Sequence, residues 1–382
     1  MQNSCNYIAI ILLISIANIV FEPFLINFNY VDECLVAILM IFILKHIYAF
    51  ARVKEFRVYL FITLFFLVYS LIQHTNVPQA TIRDFLIFFK PFICFYVGSM
   101  VGCDFSPKIK FFCKIILCIM GLYLWSILPY IGYIYRNTTA YYPACVFVCV
   151  GFIFFSVRKK RDWLIASILL VPGLASIRAK FFSEFIMWFS ILFLVKRKVR
   201  INIKYVVLGL IVLYIGYYVN QEKIAEYFIN GLRDDKARAV MYYTALLVLK
   251  DFFPFGPGFG TFATDSAAKF YSPLNYRYHL NHIWGLNIND IETGYNYYSD
   301  TFYPILAQFG VVGALLFFWF CKRRWTEGSL IESMSQYKIF LFMYSYIAIQ
   351  CIAENTFTGP SSIPIMLIIG MCLSPKKRMI TE

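Results

Sequence analysis

The side chains of this 382-residue chain that can do chemistry fall in two settings. One is the polar, aromatic stretch 220–300, which holds Arg238, His279, His282 and Glu292 and ends at Asp300. The other is a set of ionisable residues at or inside apolar runs: Arg83, Asp84, Lys90, Arg178, Lys180, Glu184 and Glu354. Arginine presents a planar fork that pairs two phosphate oxygens and stays charged at any working pH. Arg178 and Arg238, supported by Lys90 and Arg83, therefore suit an anionic group such as a phosphate. Asp300, His279, His282 and Glu292 are the residues that suit removal of a proton from a hydroxyl. The plainer roles are helix-end salt bridges for the arginines, with Asp84, Glu184 or Asp234, and a helix N-cap for Asp300. Gly256-Pro-Gly258-Phe-Gly260 lacks the Lys-Ser/Thr of a P-loop and any preceding buried strand, which excludes a soluble nucleotide fold. Its backbone N–H groups would suit an anion cradle. His279 and His282 have ligand-like spacing but no clustered third ligand, and the eleven cysteines are scattered without a C-x-x-C. No metal, cofactor or disulfide framework is expected.

The elements that must position these groups are set by composition. With 60% hydrophobic and 15% charged residues, the chain is too apolar for a soluble domain. Apolar runs of membrane-crossing length recur at about 5–21, 31–50, 58–73, 83–102, 111–131, 141–157, 163–177, 181–195, 205–219, 301–321, 337–353 and 361–373. The expected fold is an all-α, polytopic transmembrane bundle of about twelve spans. Nine spans lie in residues 1–219, a large loop occupies 220–300, and three spans and a cytoplasmic tail occupy 301–382. The first run is read as a span and not a removable signal, having no small-residue cleavage pattern after it.

A formal charge of +14 invites a nucleic-acid reading, but the location of the charge rejects it. One orientation puts Arg52/Lys54/Arg57, Lys108/Lys110 and the clusters at 158–161, 196–204, 322–324 and 376–378 all on one side. That asymmetry puts both termini in the cytoplasm and the long loop outside. Lys90 lies seven residues inside its span, where an ionisable group needs a partner or water, and Pro91 loosens the backbone beside it. Within the loop, Arg233 to Lys250 reads as a helix with Asp234 and Asp235 in its first turn. Tyr295, Tyr297, Tyr298, Phe302 and Tyr303 suit an interfacial aromatic belt, or stacking on sugar faces.

Arg238, then Lys250-Asp251-Phe-Phe-Pro254-Phe-Gly256-Pro-Gly258-Phe-Gly260-Thr-Phe262, resembles a segment of the bacterial O-antigen and capsular polysaccharide repeat-unit polymerases (the Wzy class) and the related O-antigen ligases. Ser299-Asp300-Thr-Phe-Tyr-Pro304-Ile-Leu-Ala-Gln308-Phe-Gly310-Val-Val-Gly313 is similar to a later segment of those families, and Arg178 to a second family arginine. The resemblance implies a glycosyltransferase of the bacterial inner membrane. It would pass an oligosaccharide from one undecaprenyl-pyrophosphate carrier to the sugar of another at the outer leaflet, without a cofactor. Its partners would be that lipid-linked oligosaccharide, membrane lipid, a chain-length regulator and a flippase, and no nucleic acid. Many members carry a His-Asn pair where this chain has Ser299-Asp300, which leaves the base open among Asp300, His279 and His282. A ligase acting on lipid A core is the alternative within the class. A flippase, outside it, would be expected to have short loops on both sides.

Overall fold

The computed structural model describes residues 2–24, 30–135, 140–156, 160–195 and 230–374, with isolated positions at 214, 218, 221 and 225. The predicted ninth span at 205–219, the loop's first residues and the basic clusters at 196–204 and 376–378 lie outside the described residues, those isolated positions apart. Every regular element among the described residues is a helix. In chain order these are α1 (Gln2–Val20), α2 (Val31–Lys45), α3 (Ile47–Arg52), α4 (Lys54–Gln73), α5 (Pro78–Val101), α6 (Pro107–Ser126), α7 (Ile131–Ile134), α8 (Tyr141–Ser156), α9 (Lys160–Leu170) and α10 (Ala179–Leu194). Then follow α11 (Ala237–Asp251), α12 (Asp265–Lys269), α13 (Pro273–Arg277), α14 (Ile288–Glu292), α15 (Gly310–Gly328), α16 (Met334–Gln350) and α17 (Ser362–Leu373).

Among the described residues, four helical stretches are long and apolar enough to cross a membrane: Lys54–Gln73, Pro78–Val101, Pro107–Ser126 and Tyr303–Gly328, the last a 3₁₀ turn running into α15. Cys5–Val20, Tyr141–Ser156 and Ser362–Leu373 are shorter apolar helices. Their ends follow local chemistry. Pro78 and Pro107 stand in the first turns of α5 and α6, where a missing N–H costs nothing. The Ser106 hydroxyl accepts from the Ile109 N–H at 3.3 Å, and α5 stops at Gly102 with φ +68°.

A helix that is apolar all round belongs in the interior or in lipid, and burial separates the two cases here. From Phe88 to Gly98 every residue of α5 is buried, as are Tyr141 to Phe155 of α8 and Ser362 to Cys372 of α17. By contrast α4 and α6 turn Phe61, Ile72, Phe111 and Leu122 outward. The tightest crossing is α5 against α17. A Cβ on Gly98 would stand 2.4 Å from the Leu367 carbonyl oxygen, and one on Gly370 would stand 2.2 Å from that of Phe95. Small residues let membrane helices meet backbone to backbone, and this pair fixes how close α5 comes to α17.

The late polar stretch is no open loop. It buries Phe259, Phe262, Leu274, Leu280, Leu286 and Tyr298 in a core continuous with that of the helices, between short helices capped by Thr264, Ser272 and Asn287. The helix expected from Arg233 starts at Ala237 instead. Residues 231–235 form turns, and Asp235 takes φ +49°, a conformation that aspartate tolerates better than most residues. Asp234 and Asp235 therefore precede the helix and do not sit in its first turn. The Tyr242 hydroxyl of α11 donates to the Ile352 carbonyl at 2.8 Å, docking the helix on the end of α16. Burial pushes that phenol up to about 12, so it stays a donor at any working pH.

Replacing Gly98 or Gly370 with leucine is expected to destabilise the bundle by ~1–3 kcal/mol or more, because backbone carbonyls cannot step aside. Gly132→Ala, which meets nothing within 4 Å, is the control. Thermal unfolding in detergent reads the difference, and a Gly98→Leu protein as stable as the control would refute the crossing.

Candidate active site

The site is built on one buried carboxylate. Asp84, nearly two turns into α5 and 1% exposed, accepts from the Gly260 N–H and from the Gln308 side-chain amide, each at 2.9 Å. Three distant parts of the chain meet there: α5, the glycine turn after α11, and the 3₁₀ turn before α15. Neighbouring contacts reinforce the joint. Gly258 N–H donates to the Gln308 carbonyl at 2.8 Å, Phe259 N–H to the Ser70 hydroxyl at 2.8 Å, and Asn76 to the Gly260 carbonyl at 2.7 Å.

Beside this joint opens a polar cavity of about 490 Å³. Four ion pairs border it, and each contributes one lining member: Lys90 with Asp32 at 2.6 Å, Asp265 with Arg83 at 2.6 Å, Asp300 with Arg238 at 2.5 Å, and Glu354 with Lys180. Glu33, Asp84, Ile87, Phe88, Thr264, Ser299 and residues of the turn Asn355–Ser361 complete the wall. The pairs differ in how deeply they are set. Both side chains of Lys90–Asp32 are 9% exposed, so losing one partner would strand a charge at a cost of ~3–5 kcal/mol. Arg83–Asp265 is 37% and 45% exposed, a setting where an ion pair contributes ~0–1 kcal/mol. Arg238 and Asp300, at 26% each, lie between these limits. Glu354 also accepts from the Tyr142 hydroxyl at 3.1 Å, which links the cavity to the buried Gln350 and Glu184.

Two of the seven non-glycine residues with positive φ among the described residues stand at the rim. Ser299 and Ala263 both hold φ +60°, and the Ser299 N–H donates to the Ala263 carbonyl at 2.9 Å. Non-glycine residues keep such angles only where their surroundings enforce them. Here the two strained positions immediately precede Asp300 and Thr264, both lining residues.

The structure thus brings Lys90, Arg83, Arg238 and Asp300 to one cavity. It does not bring His279 and His282 there. Both are exposed on the far part of the loop, rings 6.3 Å apart, and neither lines the cavity. Arg178 stands half-buried at the start of α10, two residues before Lys180, and is not among the lining residues. The glycine turn differs from the expected anion cradle. The amides of Gly256, Gly258 and Gly260 are already spent on Phe252, Gln308 and Asp84. With positive φ at each, the turn packs its bare Cα atoms on Gln308 and Gly310, Ser70 and Ala80. Its work is to fasten the loop to the helices. Asp300 caps no helix: the following 3₁₀ turn has Phe302 at its N-cap, and the Asp300 carboxylate goes to Arg238.

Residue-by-residue reading missed Asp32, Glu33 and Asp265. The first two had a usable signal, because the run 31–50 begins at the membrane face where Lys90 needs a counter-charge. Asp265 had none: it reaches the cavity only because the loop folds back on α5.

Asp84→Ala would leave two buried donors without an acceptor, at ~1–3 kcal/mol each. It is expected to lower the detergent melting temperature well beyond Asp84→Asn, which keeps one acceptor oxygen. Equal stability of the two variants would show that the joint is not held by this carboxylate.

No family model, curated protein or solved structure matches the chain, so the cavity and its ion pairs are what a functional reading rests on.

Proposed function

We propose that this chain polymerises undecaprenyl-pyrophosphate-linked oligosaccharide repeat units at the outer leaflet of the bacterial inner membrane, in O-antigen or capsule synthesis. The reading takes the protein as a bundle of about twelve spans with both termini cytoplasmic and the 220–300 loop outside. The observation that carries it is the polar cavity at one end of apolar helices, lined by Lys90 of α5 and by Asp300 of the loop, the latter paired with Arg238. A glycan offers many hydroxyls, and the carboxylates and amides of that wall are acceptors suited to them.

The chemistry follows from the pairs. The acceptor hydroxyl oxygen bonds to the anomeric carbon of the donor sugar as the bond from that carbon to the pyrophosphate oxygen breaks. The carrier pyrophosphate leaves with the electron pair, and the hydroxyl proton passes to a carboxylate. An arriving pyrophosphate competes with Asp300 for the Arg238 guanidinium, whose fork fits two phosphate oxygens. Asp300 released from that pair is the base we assign, and Lys90 and Arg83 add positive charge where negative charge develops. Arg178 keeps its expected role on the phosphate as part of this proposal, from its place beside Lys180. Transfer of the glycan to lipid A core would use the same groups, and it is the alternative.

Arg238→Ala and Asp300→Ala are each expected to lower polymerisation ~10²-fold or more, collapsing the ladder on a lipopolysaccharide or capsule gel to single repeats. Lys269→Ala, exposed and away from the lining, is expected to leave it intact. Normal ladders from membrane-inserted Arg238→Ala would contradict the assignment. Loss of all attached glycan on deletion would favour the ligase, and repeats trapped inside the cell would favour a flippase.

A further inference from the structure

At the end of the bundle away from the polar cavity, α4, α5 and α15 part to leave an apolar cleft of about 550 Å³. Its walls are Tyr59, Phe92, Phe317 and Phe320, and it closes beneath Phe88, Phe259 and Phe309. Phe88 is among the lining residues of both this cleft and the polar cavity. The lining runs from Glu55 to Phe66 along α4 and from Arg324 back to Gly313 along α15. At ~1.5 Å per residue each path is ~16 Å long, about half of the ~30 Å hydrocarbon core. That is the depth of one leaflet.

The mouth is charged and built. Arg324 is buried, its side chain 6% exposed, and its Nη2 donates to Glu55 at 2.5 Å and to Glu327 at 2.8 Å. Its Nε has no hydrogen-bond partner among the described residues. The guanidinium lies 5.0 Å from the Phe95 ring and 5.3 Å from that of Phe320. Arg323, 42% exposed, reaches over Trp319, which also lines the cleft and has the amphipathic ring that settles at headgroup level. Exposed Lys54 lines the mouth as well. Against the three lining cations, Lys54, Arg323 and Arg324, stand two acids, Glu55 and Glu327, each paired with both arginines, which leaves one surplus positive charge.

We infer that this cleft binds one anionic phospholipid of the adjoining leaflet, its phosphate at Arg323 and Arg324 and one acyl chain laid between α4 and α15. The charge surplus selects an anionic headgroup over a zwitterionic one. The leaflet-length cleft fits an acyl chain, whereas the phosphate of the proposed carrier belongs at the opposite end, beside Lys90. The choice of a phospholipid over the carrier rests on the polymerase reading; the lipid site itself concerns the other end of the bundle and no step of the transfer.

Native mass spectrometry of the full chain in detergent, titrated separately with dioleoyl phosphatidylglycerol, dioleoyl phosphatidylcholine and undecaprenyl phosphate, tests it. Phosphatidylglycerol is expected to be retained about tenfold more than phosphatidylcholine, the difference that one charge-assisted contact supplies. Val58 lines the cleft and is exposed, so Val58→Trp fills the space without touching an ion pair and is expected to abolish the preference. Arg324→Gln is expected to reduce it about as much, and the tryptophan variant keeps the test sound if the loss of Arg324 unsettles Glu55. Equal retention of the two phospholipids, unchanged retention by Val58→Trp, or a Val58→Trp-sensitive preference for undecaprenyl phosphate would each overturn the proposal.

Discussion

The arrangement of this molecule depends on one buried carboxylate. Asp84 holds the Gly260 amide and the Gln308 side chain at the same oxygen, and a buried donor without an acceptor is expensive. The loop therefore cannot lift from α5 without orphaning the Gly260 amide. Because the loop stays down, Asp265 and Asp300 reach the cavity that Lys90 and Glu354 enter from the helices. The bare glycine turn serves the same end, since any Cβ on Gly256 or Gly260 would strike backbone. A rigid joint between membrane helices and a folded loop is what lets side chains distant in sequence share one space.

The ion pairs around that space are arranged in a graded way. The deepest, Lys90–Asp32, is closed off by surrounding side chains, while Arg83–Asp265 is half open. Charges already paired before any substrate arrives avoid the cost of stranded cations in an apolar setting. They also create a condition for chemistry: a competing anion that takes a cation releases a carboxylate beside it. The proposed transfer uses that exchange at Arg238 and Asp300, and the strained Ser299 ahead of Asp300 fixes where the released carboxylate stands.

How much of this was legible in the sequence depends on the range of the signal. Apolar run length is a local property, and helices stand in eleven of the twelve predicted stretches, the ninth lying outside the described residues. Lys90 was legible for the same reason, as an ionisable group in an apolar run. Its partner Asp32 lies 58 residues away; the start of the run at 31 offered it as a counter-charge, and the packing of α2 on α5 singles it out. The glycine turn shows the opposite failure. Its composition signalled exposed amides, but tertiary contacts had already consumed them. His279 and His282 drew attention by residue type, and folding left them on the surface. Patterns fixed by neighbours along the chain were readable; those fixed by closure of the loop on the helices were not.

The central claim is that the cavity joins lipid-linked glycans. The most direct measurement is reconstitution of the purified chain in vesicles with undecaprenyl-pyrophosphate-linked repeat units as both donor and acceptor. The account predicts lengthened glycans, with one carrier pyrophosphate released for each repeat added, and loss of both signals when Asp300 is replaced. Repeat units left unjoined by folded protein, or elongation that persists without Asp300, would contradict it.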